Sequence, residues 1–168
     1  TDFSNVLADD SILRRHNIHT TKYLLTVGFH PRKNVKLTVE IFNELNKKFR
    51  DIKLVLAGYN EDIKNNGFDK IIDNNNIVFT GPVTESELAS LYKNSYLFIF
   101  LSSYEGFGLP ILEAMSCGVP VITCNNSSLP EVSGYDTSLL ADNNSSTDAY
   151  KIIEEILTNQ DLYMRLKE

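Results

Sequence analysis

Cysteine is scarce in this chain: there are two in 168 residues, Cys117 and Cys124. Their spacing fits neither a zinc site nor a redox pair. A disulfide framework is excluded, and two free thiols fit a reducing compartment. Both read as small buried residues, Cys117 before Gly118 at a helix end and Cys124 at the end of a strand. Histidine is equally thin. His16 and His19 fall in a polar lead-in and His30 stands alone, so no metal site is expected. Basic charge is in deficit, with 16 Lys+Arg against 22 Asp+Glu and a net charge of −6. A nucleic-acid binder needs a basic face, so no nucleic-acid partner is expected. A small anionic ligand stays open, because screening beyond about 8 Å lets a local basic cluster act by itself. No apolar run approaches the ~20 residues of a membrane span, and no signal-peptide pattern opens the chain. Internal repeats and low-complexity segments are missing too. So are the Gly-x-x-x-x-Gly-Lys-Ser/Thr phosphate loop and a Gly-x-Gly-x-x-Gly turn after the first strand.

What is present is a globular balance, 42% hydrophobic and 23% charged. The length suits one domain of roughly 150 residues with its own core. Residues 1–21 read as a lead-in or interdomain segment, with a short helix near Ser11, and residues 22–168 as the domain. The chain opens on Thr1 rather than Met and reads as a fragment or processed product.

From residue 22 onward apolar runs alternate with amphipathic stretches. Strands are expected at 23–27, 53–57, 77–79, 96–101 and 119–124, with a weak sixth at 139–140. Helices are expected at 35–49 with Asn34 as its cap, in part of 63–74, at 85–94, from Pro110 to Gly118, at 149–157 and from 161 onward. Thr84-Glu-Ser-Glu87 matches a capping box. The run 96–101 is apolar on both faces, as a central parallel strand should be. This rhythm specifies an α/β fold: a doubly wound, Rossmann-like parallel sheet of six strands in the order 3-2-1-4-5-6, with helices on both faces.

That order puts the topological switch between strands 1 and 4, where ligands bind outside the carboxyl ends. Two loops enter the crevice. The first, Gly28-Phe-His-Pro-Arg-Lys-Asn34, carries Arg32 and Lys33 just before a helix start. Such a site favours an anion, which Arg grips bidentately and Lys meets as a mobile charge. The same pair could equally be two solvated surface cations. The second loop runs from Ser102 to Gly108 and leads into a helix. Gly106 and Gly108 flank Phe107 and allow close backbone approach. Glu105 lies in the loop, and Glu113 one turn into the helix, where it could accept hydrogen bonds from sugar hydroxyls or simply complement the helix dipole.

Glu105-Gly-Phe-Gly-Leu-Pro-Ile-Leu-Glu113, followed by Ala114-Met-Ser-Cys-Gly-Val-Pro-Val121, resembles the signature of family-4 retaining glycosyltransferases of the GT-B fold. Supporting pieces stand in the family's order: Val27-Gly28 with Pro31-Arg-Lys-Asn34, residues 54–58, Phe79-Thr-Gly-Pro-Val83, Glu87-Leu88, Leu91-Tyr92 and Leu129-Pro-Glu-Val132. The resemblance covers roughly residues 22–158, the C-terminal of the family's two domains. It implies a donor-binding half, inactive by itself, whose partners are a nucleoside diphosphate sugar and an N-terminal acceptor domain outside this chain.

Carried over by position, Lys33 resembles the diphosphate-binding lysine. Glu105 resembles the catalytic glutamate beside the reacting carbon, and Glu113 the one that binds ribose hydroxyls. Gly28, Gly106 and the backbone amides of Phe107, Gly108 and Leu109 line the donor site, with the backbone near Val83 at the base. Phe29 stands where many members place arginine, the loop is one residue shorter, and Arg32 is the candidate replacement. The resemblance implies transfer with retention and without a bound metal or other cofactor. It also implies a cytoplasmic protein, at the inner membrane surface when full-length. The Pro-Arg-Lys-Asn loop is similar to that of mannosyl and deoxysugar transferases, which makes GDP-mannose the first donor to test. Rival readings are a GT-B nucleotide-sugar epimerase domain and a catalytically inactive nucleotide-binding or interaction module. A receiver or flavodoxin-like domain is disfavoured by six strands and by the missing acidic cluster after the first. The sequons Asn126-Ser-Ser128 and Asn144-Ser-Ser146 read as polar turns.

Overall fold

The computed structural model describes residues 2–58, 74–134, 138–142 and 145–167. Six strands form one parallel sheet: β1 (Tyr23–Val27), β2 (Lys53–Ala57), β3 (Ile77–Gly81), β4 (Leu97–Phe100), β5 (Val121–Cys124) and β6 (Ser138–Ala141). Their order across the sheet is β3-β2-β1-β4-β5-β6. Every pairing is parallel, so all six carboxyl ends share one edge. Described helices are α1 (Ser11–Arg15), α2 (Val35–Lys48), α3 (Glu85–Asn94), α4 (Leu109–Ser116), α5 (Leu129–Ser133), α6 (Ser146–Thr158) and α7 (Gln160–Lys167). Helix α2 packs on α6, while α1, α3, α4 and α5 touch in series, so the sheet is covered on both faces. The expected helix within 63–74 lies almost entirely outside the described residues.

Burial explains why β1 and β4 are central. Tyr23, Leu24, Leu25, Leu97, Phe98, Ile99 and Phe100 are all buried. A strand covered on both faces needs apolar residues at consecutive positions, which is the pattern found here. At β5 the ladder begins two residues later than the apolar run. Pro120 has no N–H to donate, although its carbonyl accepts from the Phe98 amide at 2.9 Å.

Helix α3 starts on the capping box read from the sequence. Thr84 accepts from the Glu87 amide at 3.2 Å, and the Glu87 carboxylate accepts from the Thr84 amide at 2.8 Å. Asn34 does stand at the start of α2, but in the left-handed region (φ 50°, ψ 38°) and without a side-chain cap bond. Helix α6 begins three residues earlier than its apolar stripe, because Ser145 caps it by accepting from the Asp148 amide. Helix α5 was not expected; it is five residues long, with Pro130 in its first turn.

Residues 2–21 are not peripheral to this core. Phe3, Ile12, Leu13 and Ile18 are buried in it. Arg15 pairs with Glu87 at 2.9 Å, and Ser90 donates to Asp10 at 2.6 Å, which fastens α1 to α3.

Candidate functional site

Parallel strands bring the loop after β1 and the loop after β4 to the same edge, side by side. The chain stitches them together through backbone groups. The Arg32 carbonyl accepts from the Ser103 amide at 2.8 Å and from the Ser102 hydroxyl at 3.1 Å. The cationic residues are therefore delivered to the glutamate loop by main-chain geometry, with long side chains needed only for the last step.

The side chains meet on one carboxylate oxygen. Glu105 Oε1 lies 3.4 Å from Arg32 Nε, 3.4 Å from Lys33 Nζ and 2.9 Å from the Ser102 hydroxyl that donates to it. Glu105 is 9% exposed, and the Lys33 side chain 13%, against 46% for Arg32. Lys33 runs past Gly28, where an added Cβ would sit 3.6 Å from Lys33 Cε. Its ammonium ends 4.2 Å from the centroid of the Phe100 ring. Gly28 itself has φ +84°, a conformation that favours glycine at the strand exit.

Burial pulls the two charged partners in opposite senses. It lowers the Lys33 pKa, and the opposing charge of Glu105 recovers only part of that. For Glu105, burial pushes the carboxyl up, but Lys33, Ser102 and Arg32 together outweigh it, so the group sits below its usual range. Glu105 is thus held firmly as a carboxylate. For Lys33 the desolvation outweighs the attraction of Glu105, so its pKa stays below the ordinary lysine value.

The glycine loop continues from Glu105 into α4. Gly108 caps α4 with φ +83°, and a Cβ there would come within 3.2 Å of Leu129 Cδ2. Gly106 differs: its φ is outside the left-handed region and a Cβ would meet nothing within 4 Å. Its value at this position is open space, not backbone strain. Phe107 and Leu109 project their side chains to solvent. Glu113 lies one turn into α4 and accepts from the Tyr92 hydroxyl at 3.1 Å on Oε2. Its charge also reaches Lys33, so both glutamates act on the same cation.

Val83 and Phe29 lie outside this cluster. Val83 follows β3 on the same sheet edge but two strands from β1, apart from the cluster at Glu105. Phe29 turns inward, buried, and stacks on Phe79 at 6.2 Å between centroids. The structure also gives site contacts to a turn that the sequence reading took only as polar. After β5, Ser127 accepts from the Glu105 amide at 3.2 Å, Ser128 donates to the Glu105 carbonyl at 3.2 Å, and Asn126 donates to the Ser102 carbonyl at 3.2 Å. The Asn126-Ser-Ser128 turn is therefore a third wall that fixes the glutamate loop. Its signal was available: polar residues directly after the strand next to the switch point.

Among the described residues no group of three or more His, Cys, Asp or Glu could hold a metal ion, and no helix is long and apolar enough to cross a membrane.

A parallel sheet of this order, with Arg32, Lys33 and Glu105 meeting at its switch point, defines a Rossmann-like α/β domain. The family described as Glycosyl transferases group 1 matches residues 9–168, and the chain belongs to that family. The O-antigen chain mannosyltransferase B of Escherichia coli is 38% identical over 138 residues, covering 79% of this chain and 36% of that protein. The chain thus spans well under half the length of that relative. Among solved structures, Anabaena HepE in complex with UDP-glucose superposes on 99% of this chain and 48% of its own, with a TM-score of 0.83 at 16% identity. The C-terminal domain of the group 1 glycosyl transferase LpcC from Francisella tularensis superposes on 100% of this chain and 93% of its own, with a TM-score of 0.80 at 21% identity. These overlays establish a fold shared with GT-B glycosyltransferases.

Proposed function

We propose that this chain is the donor-binding domain of a retaining glycosyltransferase that moves a sugar, with mannose the favoured one, from a nucleoside diphosphate to an acceptor. The acceptor is bound by a further domain of the full-length protein. One observation carries the reading: Arg32, Lys33 and Glu105 converge within 3.4 Å at the switch point, although 73 residues separate Arg32 from Glu105 in the chain. The mannosyltransferase relative supports the choice of sugar.

The chemistry follows from the charges. Departure of the diphosphate loads negative charge on its oxygens. Fixed donors at that place stabilise the transition state more than the ground state. Lys33, whose burial is only partly offset by Glu105, is the main such donor, with the more exposed Arg32 beside it. The start of α4, capped by Gly108, adds a dipole contribution of about 0.3–2 kcal/mol for an anion. Glu105 stays ionised and faces the positive charge that develops at the sugar's anomeric carbon. Glu113 accepts hydrogen bonds from the ribose. The backbone at Val83 borders the base.

The direct test uses the full-length protein with GDP-mannose, UDP-glucose and dTDP-sugars, and reads the anomeric configuration of the product by NMR. A glycoside with the donor's own configuration is expected, with GDP-mannose the best donor. An inverted product overturns retention, and free or epimerised sugar without acceptor turns the reading to an epimerase.

A further inference from the structure

Tyr92 is fully buried in α3, yet its phenol reaches across to α4 and donates to Glu113 Oε2 at 3.1 Å. The phenol stays protonated: burial, and then the neighbouring Glu113 charge, hold its pKa well above the ordinary range. So the direction of the bond is set, with Tyr92 as donor and the carboxylate as acceptor. The Tyr92 ring is itself clamped edge-on by Phe3 at 5.6 Å and by Phe98 at 5.3 Å. The segment carrying Phe3 also touches α4. The Phe3 amide donates to Ser116 Oγ at 3.2 Å, and that hydroxyl donates to the Glu113 carbonyl at 2.8 Å. Glu113 is thus fixed at its side chain by a rigid aromatic and at its backbone by the N-terminal segment.

We infer that Tyr92 is a positioning residue for Glu113. It occupies Oε2, removes rotamer freedom from a flexible side chain before any ligand arrives, and leaves Oε1 as the acceptor for a ribose hydroxyl. Exposed glutamates sample several rotamers, so a ligand must order them; this one is ordered in advance. The inference rests on the proposed reading of Glu113 as the ribose acceptor, and it assigns the discrimination between ribose and deoxyribose donors to a buried residue that touches no ligand.

The test measures dissociation constants of GDP and UDP, each against its 2′-deoxy and 3′-deoxy forms, by calorimetry. The four proteins are the unaltered chain, Tyr92→Phe, Glu113→Ala and the double variant. Tyr92→Phe removes one oxygen, and its melting curve is recorded alongside. The unaltered chain should prefer one ribose form by roughly tenfold, the scale of one hydrogen bond to a charged group. Glu113→Ala should abolish that preference. Tyr92→Phe should reduce it to about threefold or less while leaving affinity for the deoxy form unchanged, an effect that general loosening of the core would not produce. In the double variant the Tyr92 change should add nothing beyond Glu113→Ala. Full ribose preference in Tyr92→Phe, together with its loss in Glu113→Ala, overturns the inference and leaves the reading of Glu113 standing. A further loss in the double variant also overturns it. Equal binding of ribose and deoxy forms by the unaltered chain overturns both, and a flat titration with every nucleotide overturns the donor-site reading itself.

Discussion

Lys33 is the residue at which position, burial and charge all bear on one prediction. Its ammonium is mostly enclosed, shares Glu105 Oε1 with Arg32 and lies over Phe100. Replacing it with alanine should weaken nucleoside diphosphate binding by roughly 10–100-fold, the scale of one charge-assisted hydrogen bond. Burial lowers its pKa from 10.5. Nucleotide affinity should therefore fall as pH rises through that lowered value, at a pH below where an exposed lysine would discharge, and binding in that window should take up protons. Calorimetry in buffers of different ionisation enthalpy detects the uptake. Glu105 carries the opposite linkage. Its folded pKa is below 4.5, so its contribution to stability is complete above 4.5 and fades as pH falls through the lowered value. Glu105→Gln should flatten that part of the acid limb of the melting temperature, and an unchanged limb would contradict the charge assignment. Glu105→Ala should spare nucleotide binding and abolish transfer in the full-length protein. The meeting of Lys33, Arg32 and Glu105 was legible in the sequence because topology alone brings their loops together. The partners that fix them were not. Ser102, Ser127 and Tyr92 are ordinary residue types whose roles depend on distances that no local pattern encodes.

At the scale of elements, the clearest sequence signals were those with a local mechanism. The Thr84–Glu87 box formed as its spacing required. Thr84→Ala should lower stability by about 1 kcal/mol, read from denaturant unfolding, since it strips a cap from α3. Gly108 is the element boundary that most constrains the site. A left-handed alanine is disfavoured by roughly 1–2 kcal/mol, before counting the 3.2 Å approach of its Cβ to Leu129 Cδ2. Gly108→Ala should therefore destabilise the domain and weaken nucleotide binding together. Gly106→Ala, with open space around its Cβ, should leave stability within about 0.5 kcal/mol of the unaltered chain. The sequence treated these two glycines alike; only the backbone angles separate them. Helix α5 escaped notice for a similar reason. Five residues are too few to show a 3.6-residue period.

For the whole molecule, strand order was readable from the alternation of elements, because a parallel sheet with crossover helices admits few topologies. The extent of the core was less so. Residues 2–21 are polar enough on average to look like a lead-in, yet four of their side chains are buried with the rest. Each buried side chain of this type contributes about 1.5–3 kcal/mol. Deleting residues 1–21 should therefore lower the melting temperature sharply or prevent folding, and a truncated chain that melts unchanged would contradict the packing described. The central claim is that two loops, brought together by the sheet, form one receptor for a diphosphate. Isothermal titration of the purified chain with GDP, UDP, ADP and dTDP, repeated on Lys33→Ala, tests it most directly. Saturable binding of one nucleotide, weakened at least tenfold by the substitution, is the predicted result. Absence of binding to all four, or equal affinity in the two proteins, would contradict it.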